Sequence, residues 1–324
     1  MQKKRTFISM VSLCLIVCLC LAGCGNTAAT QDAEQQTAND DNSYTFTDAL
    51  GQEITVNQPQ RVVALMGSFA EIWLLAGGGD TLVGVTDDAF DGRDLELADD
   101  IAVVGKFQTP NTEEILALDP DLVLLSAETT GTDSHVALKD ALSSAGITAA
   151  YFSVTHFEDY LAMLKTCTQI TGNTEAYQTN GLQVQENINT IIADNKLETE
   201  PSVLLMITYS GGIRPQRSDT MTGKMLADLG CHNIIDDYPS LLKDFSVEAI
   251  IEADPDYIFV IPMGNDEAAA QKNLTESIES NPAWSSLTAV QNDHYILLPK
   301  DKFLYKPNAR WAESYAYLAD LLHV

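Results

Sequence analysis

The chain has 324 residues, 45% of them hydrophobic, and its 46 acidic side chains outnumber 18 basic ones for a formal net charge of −28. A surface this acidic repels phosphate backbones and anionic membrane faces, which excludes nucleic acid as a partner. The length suffices for two domains of ordinary size.

Lys3-Lys4-Arg5 opens the chain, an apolar run covers residues 7–21, and Leu21-Ala22-Gly23-Cys24 follows. A basic start, a short apolar core and small residues describe a secretory signal over residues 1–23, too short to favour a transmembrane span. Cysteine directly after Ala-Gly makes it a lipoprotein signal, with Cys24 the acylated residue; the plainer alternative is an ordinary signal with a chance cysteine. Two or more acyl chains give stable anchoring where one is marginal. Residues 25–43 hold no large apolar side chain, so residues 24–43 read as a disordered tether. Without the leader, 15 basic residues face 46 acidic ones, for a net charge of −31. Cys167 and Cys231 then remain; they fall in different lobes without metal-ligand spacing and are expected as buried thiols, a disulfide being the alternative.

From residue 44 onward, apolar runs alternate with helical patterns. Residues 61–65, 82–85, 101–104, 122–126 and 149–154 read as strands, with helices over 69–76, 113–118 and 135–145 between them. Gly77-Gly78-Gly79 and Gly146 sit where helix stops belong. Residues 157–196 lack strand signal and proline, and Leu161, Leu164, Cys167 and Ile170 keep helical spacing. They predict one long helical connection. Beyond it the alternation resumes through strands at 203–208, 257–261 and 295–298, with helices at 221–229, 247–253 and 308–322. The expected architecture is α/β: parallel sheets covered by helices, with a lobe over residues 44–156, a connector over 157–200 and a second lobe over 201–324.

One segment recurs. Thr112-Glu113-Glu114-Ile115-Leu116-Ala117-Leu118-Asp119-Pro120-Asp121-Leu122-Val123 returns as Val247-Glu248-Ala249-Ile250-Ile251-Glu252-Ala253-Asp254-Pro255-Asp256-Tyr257-Ile258. Each copy is a short helix, a proline that ends it and a buried strand. Similar units in both halves imply two similar lobes, and a cleft between lobes is where small ligands bind.

These features together resemble the substrate-binding lipoproteins of ABC importers, in the helical-backbone class (the class III periplasmic-binding-protein fold) that takes up iron–siderophores, haem and cobalamin. The similarity covers roughly residues 44–324. It rests on Arg61-Val62-Val63-Ala64-Leu65 with Glu71, Asp80-Thr81-Leu82-Val83-Gly84-Val85, Gly105, both copies of the repeat, and Lys306-Pro307-Asn308-Ala309-Arg310-Trp311. Gly67 departs from the pattern, where proline is more usual. The resemblance implies two Rossmann-like lobes, a monomer anchored by lipid on the extracytoplasmic face of the cell membrane, a permease dimer as partner, and no cofactor of its own. It also gives Glu113 and Glu248 the role of docking into arginine pockets of that dimer, with the neighbouring Glu114 the alternative to Glu113. The plain reading of each glutamate is a first-turn residue favouring the helix dipole, worth about 0.3–1 kcal/mol.

In open α/β sheets the ligand crevice lies outside the carboxyl ends of the strands. The loops expected there carry Ser68, Phe107, Tyr209, Arg214, Arg217, Lys306 and Arg310. Seven of the 15 basic residues beyond the leader fall in two stretches: Arg214, Arg217 and Lys224, then Lys300, Lys302, Lys306 and Arg310. Cations on cleft loops of so acidic a chain predict an anionic ligand such as a ferric siderophore or haem, because arginine suits bidentate carboxylate recognition; solvated surface charge is the plainer reading. Phe107, Tyr209 and Trp311 are candidates for an apolar wall, although Trp311 lies in a core-like helical pattern. His135, His156, His232 and His294 are too scattered for a zinc site. The enzyme signatures Gly-x-Ser-x-Gly, HExxH and the Walker loop are missing, so a lipid-anchored hydrolase is the weaker alternative and no catalytic residue is expected.

Overall fold

A computed structural model describes residues 43–128, 135–242, 246–264 and 267–323. The signal peptide, Cys24 and the tether up to residue 42 lie outside the described residues. The described chain opens with an antiparallel hairpin, β1 (Ser43–Thr47) and β2 (Glu53–Asn57), that the sequence reading did not anticipate. Its apolar side chains pack on the first sheet, Phe46 stacking against Phe152 with ring centroids 5.9 Å apart.

The first lobe then runs through β3 (Val62–Ala64), α1 (Gly67–Leu75), β4 (Leu82–Val85), β5 (Ala102–Val103), a two-strand hairpin of β6 (Gly105–Lys106) and β7 (Thr109–Pro110), α2 (Thr112–Ala117), β8 (Leu122–Ser126), α3 (Lys139–Ser144) and β9 (Thr148–Phe152). Its five-stranded sheet has the order β5-β4-β3-β8-β9 and is parallel throughout. All five residues of β8 are buried, as expected of a strand covered on both faces.

The connector is helical but is not one helix. α4 (Phe157–Thr171) stops at Gly172, whose φ of 76° is left-handed. Asn173 caps α5 (Thr174–Tyr177), which continues through a π-helical turn at Gln178–Leu182 into α6 (Gln183–Asp194). The two arms fold back on each other: the Tyr160 hydroxyl donates to the Asn180 carbonyl at 2.6 Å, and a Cβ on Gly181 would stand 2.8 Å from Leu161. The return arm spans about 31 Å at 1.5 Å per residue, long enough to touch both lobes.

The second lobe comprises β10 (Ser202–Tyr209), β11 (Gly212–Gln216), α7 (Met221–Asp228), β12 (His232–Asn233), α8 (Ile234–Asp237), α9 (Val247–Ala253), β13 (Tyr257–Pro262), α10 (Glu267–Leu274), α11 (Thr288–Gln291), β14 (Tyr295–Leu297), α12 (Lys300–Phe303) and α13 (Trp311–Leu322). Its order is β11-β10-β13-β14, with β12 beside the start of β10. Two expectations are corrected here. The sheet is mixed, since β11 runs antiparallel to β10, and Arg214 lies on that strand instead of in a loop. Gly211-Gly212 lets the chain reverse at once, Gly212 taking a φ of 144°. Pro215 is tolerated because β11 is an edge strand.

The repeat has the same mechanics in both lobes. The first aspartate of each Asp-Pro-Asp takes a left-handed turn, with φ of 46° at Asp119 and 41° at Asp254. The second accepts backbone hydrogen bonds where a neighbouring strand begins. Asp121 accepts from the Gln60 and Arg61 amides at 2.7 and 3.0 Å, and Asp256 from the Ser202 amide at 2.8 Å.

A single apolar core passes from Val62 and Phe69 through Tyr160, Leu164 and Ile188 of the connector to Leu205, Trp311 and Leu318. The outer face of each sheet has its own cluster. Trp311 is 1% exposed and belongs to that shared core, not to a cleft wall. Cys167 and Cys231 are free and buried, and burial pushes both thiols up to about 12. Among the described residues, no helix is long and apolar enough to cross a membrane.

Candidate functional site

In each sheet the chain leaves a central strand in both directions, and the loops at that switch point open the crevice. In the first sheet the switch lies between β3 and β8, which release Ser68 and Phe69 on one side and Glu128 on the other. In the second it lies between β10 and β13. A cavity of about 180 Å³ sits where these ends meet. Its first-lobe wall is Glu128, Val154 and Thr155; the opposite wall includes Leu205, Ile207, Gln216, Met221, Ile261, Phe303 and Lys306. The second-lobe wall is largely apolar, so a charge in it stands out.

Lys306 carries the only charge among the described lining residues of that wall. Its side chain is 15% exposed, with Nζ 5.9 Å from the centre of the Phe69 ring and 3.8 Å from a Glu128 carboxylate oxygen. Burial pulls its pKa down from the usual lysine value; Glu128 opposes that and Arg93 adds to it. The backbone here is held firmly. Arg93, on the loop after β4, pairs with Glu71 of α1 and donates to the Lys306 carbonyl at 3.2 Å. Asn308, fully buried with a φ of 51°, donates to the Ser68 carbonyl at 3.0 Å and to Glu71 at 2.8 Å. Arg93 pays the usual desolvation cost of burial, which lowers its pKa, and the Glu71 carboxylate offsets it. The C-terminal segment that carries Lys306 is thus fastened to α1.

Of the seven residues expected to bind ligand, Lys306 lines the cavity. Arg214 is exposed and shares its face of β11 with Gln216; it pairs across with the wall residue Ile207 but is not itself among the residues lining the cavity. Arg310 is half-buried close enough to Arg93 to repel it. Ser68 is buried in the first turn of α1 and its hydroxyl has no hydrogen-bond partner among the described residues. Phe107 is half-buried, and its carbonyl accepts from His135 Nε2 at 2.6 Å. Tyr209 is half-buried at the end of β10, with its carbonyl bound by Asn273 at 3.0 Å. Arg217 is exposed, engages Asp236 at 3.3 Å and is not among the residues lining the cavity.

Glu71 and Arg93 form the buried pair that sequence reasoning missed as a functional feature. Asp91-Gly92-Arg93-Asp94 reads as a solvated loop, and nothing local signals a partner 22 positions earlier. Phe90, on the short turn after β4, is an exposed apolar side chain at 54%. Among the described residues, no group of three or more His, Cys, Asp or Glu side chains is arranged to hold a metal ion.

Glu113 and Glu248 occupy equivalent places, each exposed in the first turn of a capped helix. Asn111 caps α2, and Ser246 caps α9 while its hydroxyl also donates to Glu248 at 3.0 Å. Hydrogen bonds from its own amide and from Ser246 hold the Glu248 carboxyl below the usual range.

Two parallel-cored α/β lobes, a spanning helix and an interlobe crevice define a two-lobed binding protein. Residues 62–302 match the family model described as periplasmic binding protein, and the chain belongs to that family. It is 27% identical to the uncharacterized ABC transporter substrate-binding lipoprotein YvrC of Bacillus subtilis, over 99% of this chain and 98% of that one. It is 23% identical to the Fe(3+)-citrate-binding protein YfmC of the same organism, over 89% and 88%. The siderophore-binding protein BauB, solved with acinetobactin and ferric iron, shares the fold with a TM-score of 0.66 at 20% identity, covering 86% of this chain and 99% of that one. The family consists of substrate-binding proteins for transport, not of enzymes.

Proposed function

We propose that the protein is an extracytoplasmic lipoprotein, anchored through Cys24, that captures an anionic iron complex in the interlobe cleft and delivers it to the permease dimer of an ABC importer. A ferric siderophore or other carboxylate chelate is the ligand class. The observation that carries this reading is Lys306, a cation kept in a largely apolar crevice of a chain whose net charge is −28. A desolvated ammonium is tolerated only with a counter-charge beside it, and long-range attraction cannot recruit an anion to so acidic a surface. The names of the lipoprotein and ferric-citrate relatives are in keeping with it. Haem and cobalamin are the second reading, since a cobalamin-binding relative and a haem-bound fold neighbour are among the similar proteins.

Calorimetric titration of the purified protein with ferric citrate, a catecholate siderophore, haemin and cyanocobalamin tests the assignment. Tight binding of a ferric chelate, weakened about tenfold or more when Lys306→Met removes a charge-assisted contact of roughly 1.5–3 kcal/mol, is expected. Exclusive binding of cyanocobalamin would replace it with the corrinoid reading. Delivery is assigned to Glu113 and Glu248. Reversing both charges, Glu113→Lys with Glu248→Lys, abolishes uptake and leaves affinity intact; normal uptake by that variant would reduce the two to helix-end residues.

A further inference from the structure

The two partners of the Glu128–Lys306 ion pair are held very differently. Lys306 is fixed: Arg93 binds its carbonyl, the buried Asn308 ties the following turn to α1, and only 15% of its side chain is exposed. Glu128 is loose. Its side chain is 42% exposed, Ser153 and Thr155 reach one carboxylate oxygen only at 3.4 Å, and Lys306 stands 3.8 Å from the other. Those separations lie at or beyond the outer limit of hydrogen bonding. The pair joins the loop after β8 to the segment after α12, and both residues line the cavity.

We infer that Glu128 is a tethered stand-in for the ligand's carboxylate, seated against Lys306 until the anionic group of an incoming chelate exchanges with it. This rests on the anion-binding reading and deepens it. A buried ammonium stripped of its partner is strongly unfavourable, whereas swapping one carboxylate for another leaves its charge balanced. A neutral ligand that pushed Glu128 aside would leave Lys306 unpaired. Glu128 therefore lowers affinity for every ligand and lowers it most for neutral ones, which is selection by a built-in competitor.

The test is calorimetry on the full-length protein with ferric citrate as the anionic probe and cyanocobalamin as the neutral one. Removing the competitor by Glu128→Gln tightens ferric citrate binding about two- to fivefold, in line with an ion pair of up to ~1 kcal/mol. Glu128→Ala does the same, which separates the effect from any bond the glutamine makes. Lys306→Met weakens binding at least about tenfold, and adding Glu128→Gln to Lys306→Met brings no recovery, because the competitor has lost its seat. If Glu128→Gln weakens ferric citrate as Lys306→Met does, Glu128 is itself a ligand group and the inference is overturned; an unchanged affinity overturns it equally. If ferric citrate binds neither the unaltered protein nor Glu128→Gln while cyanocobalamin binds both, the anion-binding reading fails and takes this inference with it.

Discussion

Single residues hold the strands in place at points where the backbone alone would not. Asp121 and Asp256 each reach from the end of one segment to the amides that begin the adjacent strand, so the repeated triplet acts on tertiary pairing as well as ending a helix. Asp256→Ala removes a charge-assisted acceptor from the Ser202 amide and hydroxyl and is expected to destabilise the fold by about 1.5–3 kcal/mol, read from urea denaturation midpoints. His135 does comparable work on the first lobe. The Ser126 amide can only donate, so Nδ1 accepts it at 2.9 Å and the proton sits on Nε2, which donates to the Phe107 carbonyl. Burial holds the His135 pKa below its ordinary 6.5. The folded value lies under the unfolded one, so this contribution is complete above about 6.5 and is lost as pH falls through that value toward the depressed folded pKa. His135→Gln keeps a donor and an acceptor but cannot charge. Its stability should fall less steeply between pH 7 and pH 5 than that of the unaltered protein; parallel profiles would remove His135 from the acid response.

At the scale of elements, helix α1 shows tertiary contact overruling a local rule. Proline is favoured at the first position of a helix, where no amide bond is needed. Here that position is Gly67, whose amide donates to the Asp88 carboxylate at 2.8 Å, and a Cβ on it would lie 2.6 Å from the Asp88 carbonyl and 2.7 Å from the Ala89 backbone. The turn after β4 closes over the start of α1, leaving room for neither a side chain nor a missing donor. Gly67→Pro is therefore expected to cost about 2–5 kcal/mol, combining a lost charge-assisted bond with overpacking against backbone. A thermal melt unchanged by that substitution would show that the turn moves freely.

For the whole molecule, the shared core and the helical return arm set how far the lobes can move. Tyr160, Leu164 and Ile188 are buried in the same cluster as residues of both sheets, so wide opening would expose apolar surface at roughly 25 cal/mol per Å². The cavity of about 180 Å³ is nonetheless below the roughly 300–1,000 Å³ of typical ligand pockets. Room is expected to come from Glu128 at the cavity wall, with closure of the lobes limited to a few degrees. Solution scattering with and without ferric citrate checks this; a contraction in radius of gyration of several ångströms would show a hinge in place of the braced connector.

The sequence by itself determined the two-lobed α/β architecture. Its apolar runs, its glycine and proline stops and its repeated helix–proline–strand unit are local patterns, and local patterns follow from backbone geometry within a few residues. It also determined the solvent-facing placement of Glu113 and Glu248, because both sit in the first turn of a short capped helix. The hairpin of Ser43–Asn57, the fold-back at Gly172 and the reversal into β11 depended on packing partners far along the chain. So did the cleft. Arg214, Arg217, Lys306 and Arg310 look alike as basic residues in a sequence, yet Arg217 meets Asp236 and Arg214 lies exposed on an edge strand. Lys306 alone of the four lines the cavity, set beside Phe69 and Glu128. Charge is written in the sequence, but desolvation and partnership are properties of the packed structure, and those decide which cation can read a ligand.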